Sequence, residues 1–235
     1  MLRYPPRADD APGAQAIHRR ALATENSMET DMTRLEFFFD CSSPWTYLAF
    51  TGIQPIVARY PVELHWRPIL VGGVFNAINP DLYQAREAMF SNERRMKHYM
   101  KDLADWARYY GLTIGWPTMH PANAVKVMRG CFVAEEAGCL IPFARRAFEM
   151  YWGECRDIGD DAVVREIVQA VDLDETDFFT RINSQPYKDR LRANTDELIE
   201  RGGYGSPTLF INGDDMYFGN DRLLLVEARL RELAG

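Results

Sequence analysis

The chain has 235 residues, of which 47% are hydrophobic and 26% are charged, and its formal net charge is -7. This composition is ordinary for a globular protein with one sizeable core, and the acidic balance argues against nucleic acid as a partner, since phosphate binding requires a basic surface. No apolar run approaches the roughly 20 residues that span a bilayer, and the N-terminus lacks the apolar region of a secretory signal, so we expect a cytoplasmic protein with no membrane partner.

The first predicted elements are a strand, a helix and a second strand. Residues 1–33 precede them and are rich in Ala, Pro, Arg and Asp without a hydrophobic period, so we expect a disordered tail. The apolar run Leu35–Phe39 is typical of a buried strand. Ser43-Pro44 suits a helix start, because the serine hydroxyl can accept an orphan backbone N–H and proline has none to lose. Val62–Trp66 alternates apolar and polar residues and predicts a parallel second strand.

The middle of the chain is predicted to be helical. Residues 68–80 are interpreted as a loop, and from Asp81 to about Gly202 we find only helical signals. The β pattern then returns. Pro207–Ile211 predicts a strand, Asn212-Gly213 a type I′ hairpin turn, and Met216–Phe218 the returning strand, with a last helix after it.

This order divides the chain into a tail and two domains. Residues 34–68 and 204–235 are predicted to form one domain with a four-stranded mixed sheet, and residues 69–203 are predicted to form an all-helical insertion domain. The overall class is therefore α/β.

The cysteines and histidines show no metal or redox motif. None of the four cysteines, Cys41, Cys131, Cys139 and Cys155, forms a C-x-x-C pair, so we expect reduced thiols. The four histidines are scattered, and no Cys/His cluster predicts a metal site.

The predicted order, βαβ followed by ββα, is the thioredoxin-like order, and a helical insert between the halves resembles the DsbA-like branch of that fold. In redox members a C-x-x-C motif stands where Ser43-Pro44-Trp45-Thr46 stands here. Both cysteine positions are hydroxyl residues in this chain, and a dithiol cycle needs two thiols within reach. The resemblance therefore does not extend to a disulfide oxidoreductase of the usual type.

Five segments point to a narrower group. FFFDCSSPWTYLA, WRPILVGGVF, DLADWARYYGL, GSPTLF and FGNDRLLLVEARL resemble 2-hydroxychromene-2-carboxylate isomerases, which are relatives of kappa-class glutathione transferases. Together these segments extend over most of residues 35–233. Each is weak alone, and their occurrence in this order is specific.

The resemblance implies a glutathione site. Ser43 would contact the glutathione sulfur and favour the thiolate, which agrees with the tendency of a helix N-terminus to lower a thiol pKa. Ser206, before a Pro207 that is cis in this fold, would bind the cysteinyl part. The γ-glutamyl end would lie at the start of the last helix, on the residues Phe218, Gly219, Asn220 and Asp221. The residues alone favour a helix cap for Ser43, and Asn220 or Asp221 can also be explained as a cap.

The second substrate is less well defined by the sequence. Many members of the family carry a lysine in the loop after the second strand, and here the aligned residue is Asn76, a neutral donor. His120 and Asn123 lie in an irregular link before a helix, where His120 would donate to a substrate oxygen or serve a structural role. These three residues are the substrate candidates.

The resemblance implies a function. We expect a homodimeric, glutathione-dependent isomerase that interconverts 2-hydroxychromene-2-carboxylate and trans-o-hydroxybenzylidenepyruvate, or a close analogue, in aromatic compound degradation. Its substrate would be a small aromatic carboxylate. The thiolate of bound glutathione, stabilised by Ser43, would add to this substrate and leave again. Two alternatives remain open: a kappa-like transferase that conjugates glutathione to electrophiles, and a non-catalytic thioredoxin-like binding domain. A thiol oxidoreductase is a distant fourth.

Overall fold

A four-stranded mixed sheet forms the centre of the protein. The computed structural model describes residues 32–78, 81 and 91–235, so the predicted disordered tail lies outside the described residues except for its last two positions. The strands are β1 (Thr33–Phe39), β2 (Val62–Pro68), β3 (Thr208–Ile211) and β4 (Asp215–Phe218). They stand in the order β2-β1-β3-β4, with β1 parallel to β2 and the other neighbours antiparallel. The predicted βαβ and ββα halves are therefore confirmed.

The helices surround this sheet. They are α1 (Pro44–Val57), α2 (Val71–Ile78), α3 (Glu93–Tyr110), α4 (Val125–Glu136), α5 (Leu140–Phe148), α6 (Asp161–Gln169), α7 (Glu175–Asn183), α8 (Gln185–Glu200) and α9 (Leu223–Leu233). A π-helical turn, Glu149–Gly153, continues α5, and a 3₁₀ turn, Asn220–Arg222, precedes α9. Asp160 and Asp174 cap α6 and α7, because each carboxylate accepts a backbone N–H of the first turn. None of the described helices has both the length and the apolar character to cross a bilayer.

The segment predicted as a loop after β2 contains α2 instead. The sequence VGGVFNAI includes two glycines, each of which costs roughly 1 kcal/mol in a helix. Three tertiary contacts stabilise this helix. The Asp40 carboxylate accepts the N–H of Val71, the Thr195 hydroxyl accepts the N–H of Leu70, and Val74 is fully buried. The loop prediction was wrong because both acceptors come from distant parts of the chain.

The hairpin between β3 and β4 is confirmed, but its turn type is not. Ile211 pairs with Asp215, which leaves a loop of three residues rather than the two of a type I′ turn. Asn212 and Gly213 both have positive φ, 49° and 103°, which are conformations that these two residue types tolerate best.

Both faces of the sheet are covered. Phe37 and Phe39 of β1 belong to a large core that also includes Phe148 and Trp152 of the helical region. Phe38 points to the opposite face and packs in a smaller core with Ile69, Val74, Leu198 and Phe210. Residues 33–235 form one compact unit. The division into a sheet domain and a helical insertion domain stays a prediction.

Candidate functional site

A cleft of about 430 Å³ opens at the carboxyl end of β1. Its volume lies in the range of small-molecule sites, and crevices at the carboxyl ends of strands commonly bind ligands in α/β folds. The lining comes from the β1–α1 junction, from α2 and α3, and from the loops before α4 and β3. It includes Asp40, Ser43, Trp45, Gly72, Phe75, Tyr99, His120, Asn123, Ser206 and Phe218.

Ser43 lies at the N-terminus of α1, on the wall of the cleft. Its Oγ accepts the N–H of Thr46 at 3.3 Å and donates to the carbonyl oxygen of Ser206 at 3.2 Å. The predicted cap is therefore present. The hydroxyl also lies at the positive end of the helix dipole, where a negative charge is favoured.

Ser206 joins the loop before β3 to the start of α1. The Ser206–Pro207 peptide bond is cis. The Ser206 hydroxyl accepts the N–H of Asp40 at 3.0 Å and lies 2.7 Å from the Thr46 hydroxyl. These bonds, together with the one from Ser43, connect the end of β1, the first turn of α1 and the cis-proline loop in one network.

Asp40 is a cleft residue that the sequence analysis did not single out. It is 2% exposed, and its two carboxylate oxygens each accept a backbone N–H at 2.8 Å, one from Ser42 and the other from Val71. Burial raises the pKa of Asp40, although these hydrogen bonds act to lower it. The carboxyl group thus holds the β1–α1 turn against the first turn of α2. An acidic residue directly after a buried apolar strand was the signal that could have identified it.

The three substrate candidates are not all in the cleft. His120 and Asn123 line it, and Asn123 is exposed, with its Oδ1 accepting the N–H of Val125 at 3.3 Å. Asn76 is exposed on α2 and does not line the cleft. Gly72, Gly73 and Phe75 line the cleft from α2.

The predicted glutathione residues fall into two groups. Ser43, Ser206 and Phe218 line the cleft, and Gly219 donates its N–H to Pro207 at 3.1 Å. Asn220 and Asp221 instead line a second groove of about 650 Å³ between α1, α3 and the start of α9.

Asn220 is an unusual residue of this second groove. It is 3% exposed, and its Nδ2 has no hydrogen-bond partner among the described residues. A buried amide without a partner costs about 1–3 kcal/mol, so a bound acceptor would relieve this cost. Asp221 forms an ion pair with Arg222.

The protein supplies no thiol to the cleft. All four cysteines are free, and none of them lines it. Cys41, two residues before Ser43, is fully buried, and its carbonyl oxygen accepts the indole N–H of Trp152 at 3.0 Å. Burial and the neighbouring Cys131 raise the pKa of the Cys41 thiol well above its usual value, which makes it a poor nucleophile.

The chain is similar in sequence to several known proteins. Residues 34–231 match the DSBA-like thioredoxin domain family. A 2-hydroxychromene-2-carboxylate isomerase of Pseudomonas putida is 24% identical over 199 residues, which are 85% of this chain and 95% of that protein. Glutathione S-transferase kappa 1 of Caenorhabditis elegans is 22% identical over 86% of this chain and 92% of its own length.

A solved structure of an isomerase has the same fold as this chain. The structure of a 2-hydroxychromene-2-carboxylate isomerase superposes with a TM-score of 0.72 at 25% identity, over 85% of this chain and 95% of that one. The DsbA-like thioredoxin fold predicted from the order of strands and helices is confirmed, and so is the resemblance of this chain to 2-hydroxychromene-2-carboxylate isomerases.

Proposed function

Because the chain belongs to the DSBA-like thioredoxin domain family but has Ser43 and Thr46 in place of the two cysteines of redox members, we propose that it is a glutathione-dependent isomerase. The observation that carries the proposal is a hydroxyl at the N-terminus of α1, inside a cleft to which the protein contributes no thiol. The names of the relatives at 24–25% identity support an isomerase.

Ser43 is the catalytic residue of this proposal. In the free protein its hydroxyl donates to the Ser206 carbonyl oxygen, and rotation of the O–H about the Cβ–Oγ bond would let it donate to an anion in the cleft. A hydroxyl donor and the helix dipole both stabilise a thiolate relative to a thiol. Ser43 would therefore hold the sulfur in its reactive form.

The residues that would hold glutathione fit its chemistry. Ser206, in the cis-proline loop, would bind the cysteinyl backbone. The γ-glutamyl carboxylate matches the Nδ2 of Asn220, which has no partner among the described residues, and the ammonium matches the carboxylate of Asp221. Phe218 and Gly219 directly precede these two residues in the chain. When bound, glutathione supplies a nucleophilic sulfur that adds to the substrate, leaves again and is unchanged overall.

The proposed substrate is a small aromatic acid. Trp45 and Phe75 line the cleft and offer apolar surface to an aromatic ring, and the Trp45 indole N–H is held by Tyr99 at 3.1 Å. His120 and Asn123 contribute polar groups to the lining of the same cleft. Since Asn76 lies outside the cleft, we propose that it has no direct contact with this substrate.

An isomerisation assay tests the proposal. Ultraviolet absorbance would follow the conversion of 2-hydroxychromene-2-carboxylate to its open-chain trans isomer, with and without glutathione. We expect turnover only with glutathione. Equal turnover without it would refute the cofactor role, and no turnover of any chromene carboxylate would refute the isomerase.

A transferase is the second candidate, since kappa-class glutathione transferases are also among the relatives. The same cleft and the same Ser43 would serve a conjugation. Mass spectrometry separates the two reactions, because a conjugated product retains the mass of glutathione and an isomer does not.

A further inference from the structure

His120 has a polar partner on the protein side of the cleft. Its Nδ1 lies 2.9 Å from the hydroxyl oxygen of Tyr151, which is fully buried in the π-helical turn after α5. Such turns occur frequently at functional sites. The contact joins a cleft residue to a side chain that is 31 positions away in the sequence and has no access to solvent.

The position of the Tyr151 proton follows from its other bonds. The hydroxyl oxygen accepts the backbone N–H of Ala122 at 3.0 Å, so its hydrogen must point elsewhere. Two acceptors are in reach, Nδ1 of His120 at 2.9 Å and the carbonyl oxygen of Met119 at 3.5 Å. The shorter distance is typical of a hydrogen bond and the longer one is at the limit. The distances therefore favour donation from Tyr151 to Nδ1, and in that arrangement Nε2 of the neutral imidazole carries the proton.

The surroundings keep this arrangement in place. Burial raises the pKa of Tyr151 to about 12, so the hydroxyl remains a donor at neutral pH. The His120 ring also packs edge-on against Trp116 and at a tilt against Trp152, with ring centroids 5.1 and 5.3 Å apart. These two indoles restrict rotation of the imidazole, and the hydrogen bond with the Tyr151 phenol determines which ring nitrogen carries the proton.

We propose that Tyr151 holds His120 as the Nε2–H tautomer and that His120 donates this hydrogen bond to a substrate oxygen in the cleft. Tyr151 is then a positioning residue and His120 a catalytic residue. This inference rests on the proposed function and deepens it. A His120 with the proton on Nδ1 would present an acceptor instead of a donor at Nε2.

The donor has a definite task in an addition and elimination reaction. Opening of the hemiketal ring breaks its carbon–oxygen bond and moves the hydroxyl proton to the phenol oxygen, which leaves a ketone conjugated to a C=C. A sulfur electron pair would then form a bond to that C=C, and the π electrons would move to the ketone oxygen and give an enolate. A donor to that oxygen stabilises the charge and transfers no proton. The electrons return when the carbon–sulfur bond breaks, so atoms and charge balance without a further reactant.

The first test reads the tautomer directly and does not depend on activity. Long-range ¹H–¹⁵N NMR of the full chain, at about pH 8, where an ordinary histidine is neutral, distinguishes Nε2–H from Nδ1–H. The four histidines give few signals, and the spectrum of His120→Gln identifies the one from His120. We expect Nε2–H in the wild type and a mixture of both tautomers in Tyr151→Phe. A wild-type signal with the proton on Nδ1 would overturn the inference, whatever the enzyme does.

The second test separates donation from structure. We expect His120→Phe, which keeps an aromatic ring against Trp116 and Trp152, to lower kcat by about 100-fold, the usual cost of one lost donor to a developing oxyanion. His120→Gln restores a donor and should recover part of that loss. Glutathione affinity, measured by calorimetry, should stay within about twofold of wild type in both variants.

The outcomes distinguish this inference from the proposed function. Full kcat in His120→Phe would refute the donor role while leaving the glutathione-dependent isomerase intact. Wild-type protein with no activity and no glutathione affinity would refute the proposed function, and the NMR spectrum would still decide the tautomer. If Tyr151→Phe fails to fold, the wild-type spectrum and the two His120 variants carry the test.

Discussion

Ser43→Ala is the sharpest test of the cleft. The substitution removes one hydroxyl that makes two bonds in the free protein, a cap to the Thr46 N–H at 3.3 Å and a donation to the Ser206 carbonyl at 3.2 Å. Both bonds are long and lie at a partly exposed site. The substitution leaves the α1 helix, the cis-proline loop and the hydrogen bond between the Thr46 and Ser206 hydroxyls in place.

Ser43→Ala should change both the stability of the protein and the pKa of the bound thiol. Loss of the cap should lower the free energy of unfolding by about 1 kcal/mol, which for a compact unit of this size shifts Tm by about 2–4 °C. A hydrogen bond to an anion is worth about 1.5–3 kcal/mol and one to a neutral group about 1 kcal/mol, so Ser43 favours the thiolate by roughly 1 kcal/mol or slightly more. That difference corresponds to about one pKa unit of the bound thiol, or a tenfold change in thiolate fraction below the midpoint.

The assay follows the ultraviolet absorbance of the glutathione thiolate in the complex as a function of pH. We expect the midpoint in Ser43→Ala to lie about one unit above that of the wild type, and kcat at neutral pH to fall at least as much as the thiolate fraction does. Asp174→Ala is the matched control. It removes the cap of α7, a bond of 2.7 Å to the Asp177 N–H outside the cleft, so it should lose similar stability and keep both the midpoint and kcat.

An unchanged midpoint would refute this reasoning. If Ser43→Ala binds glutathione with the wild-type titration curve and kcat, the hydroxyl is only a helix cap. If both variants lose kcat together with stability, the activity loss reports unfolding and the thiolate role of Ser43 is likewise unsupported.

Two further predictions concern stability. Burial alone would raise the pKa of Glu36, but the hydrogen bond and charge of Arg201 outweigh it, and the pKa lies below 4.5. The stabilising contribution of Glu36 is therefore complete above that pH and is lost as the pH falls through the lowered pKa. Glu36→Gln should lower the free energy of unfolding by about 1–3 kcal/mol at pH 7, and urea titrations should show a smaller loss at acidic pH. An equal loss at neutral and at acidic pH would contradict this. Gly130→Ala would place a Cβ 2.5 Å from Phe178 Cζ, and the overpacking, about 1–3 kcal/mol, should exceed the helix propensity gain of about 1 kcal/mol. Gly73→Ala is its control, with 3.4 Å to the nearest atom, and should not lower Tm; a Tm loss in it equal to that of Gly130→Ala would rule out the packing explanation.

Local signals predicted most of the helices and strands. Ser43-Pro44, Asp160 and Asp174 mark helix starts because a side-chain oxygen can accept an N–H within the next three residues, and the interaction needs no other part of the chain. Gly111 ends α3 in the left-handed conformation, with φ of 68°, as its position after the apolar stripe predicts.

The error at α2 has the opposite cause. Two glycines weaken its local helical tendency, and the groups that stabilise it, the Asp40 carboxylate and the Thr195 hydroxyl, are about 30 and 125 residues away. Asn76, which was predicted in that loop, lies exposed on α2 and is not among the residues that line the cleft.

The sequence by itself determined the order of strands and helices, the hydroxyl in place of a thiol at position 43, and the resemblance that points to glutathione, because each depends on residue type and short spacing. Only the tertiary structure decided which of the candidate site residues lie in the same cleft. It placed Ser43 beside Ser206 and Phe218, and it placed Asn220 in a second groove. It also brought Tyr151 behind His120. Hydrogen bonds between residues 31 to 163 positions apart depend on how the whole core packs, and no local pattern encodes them.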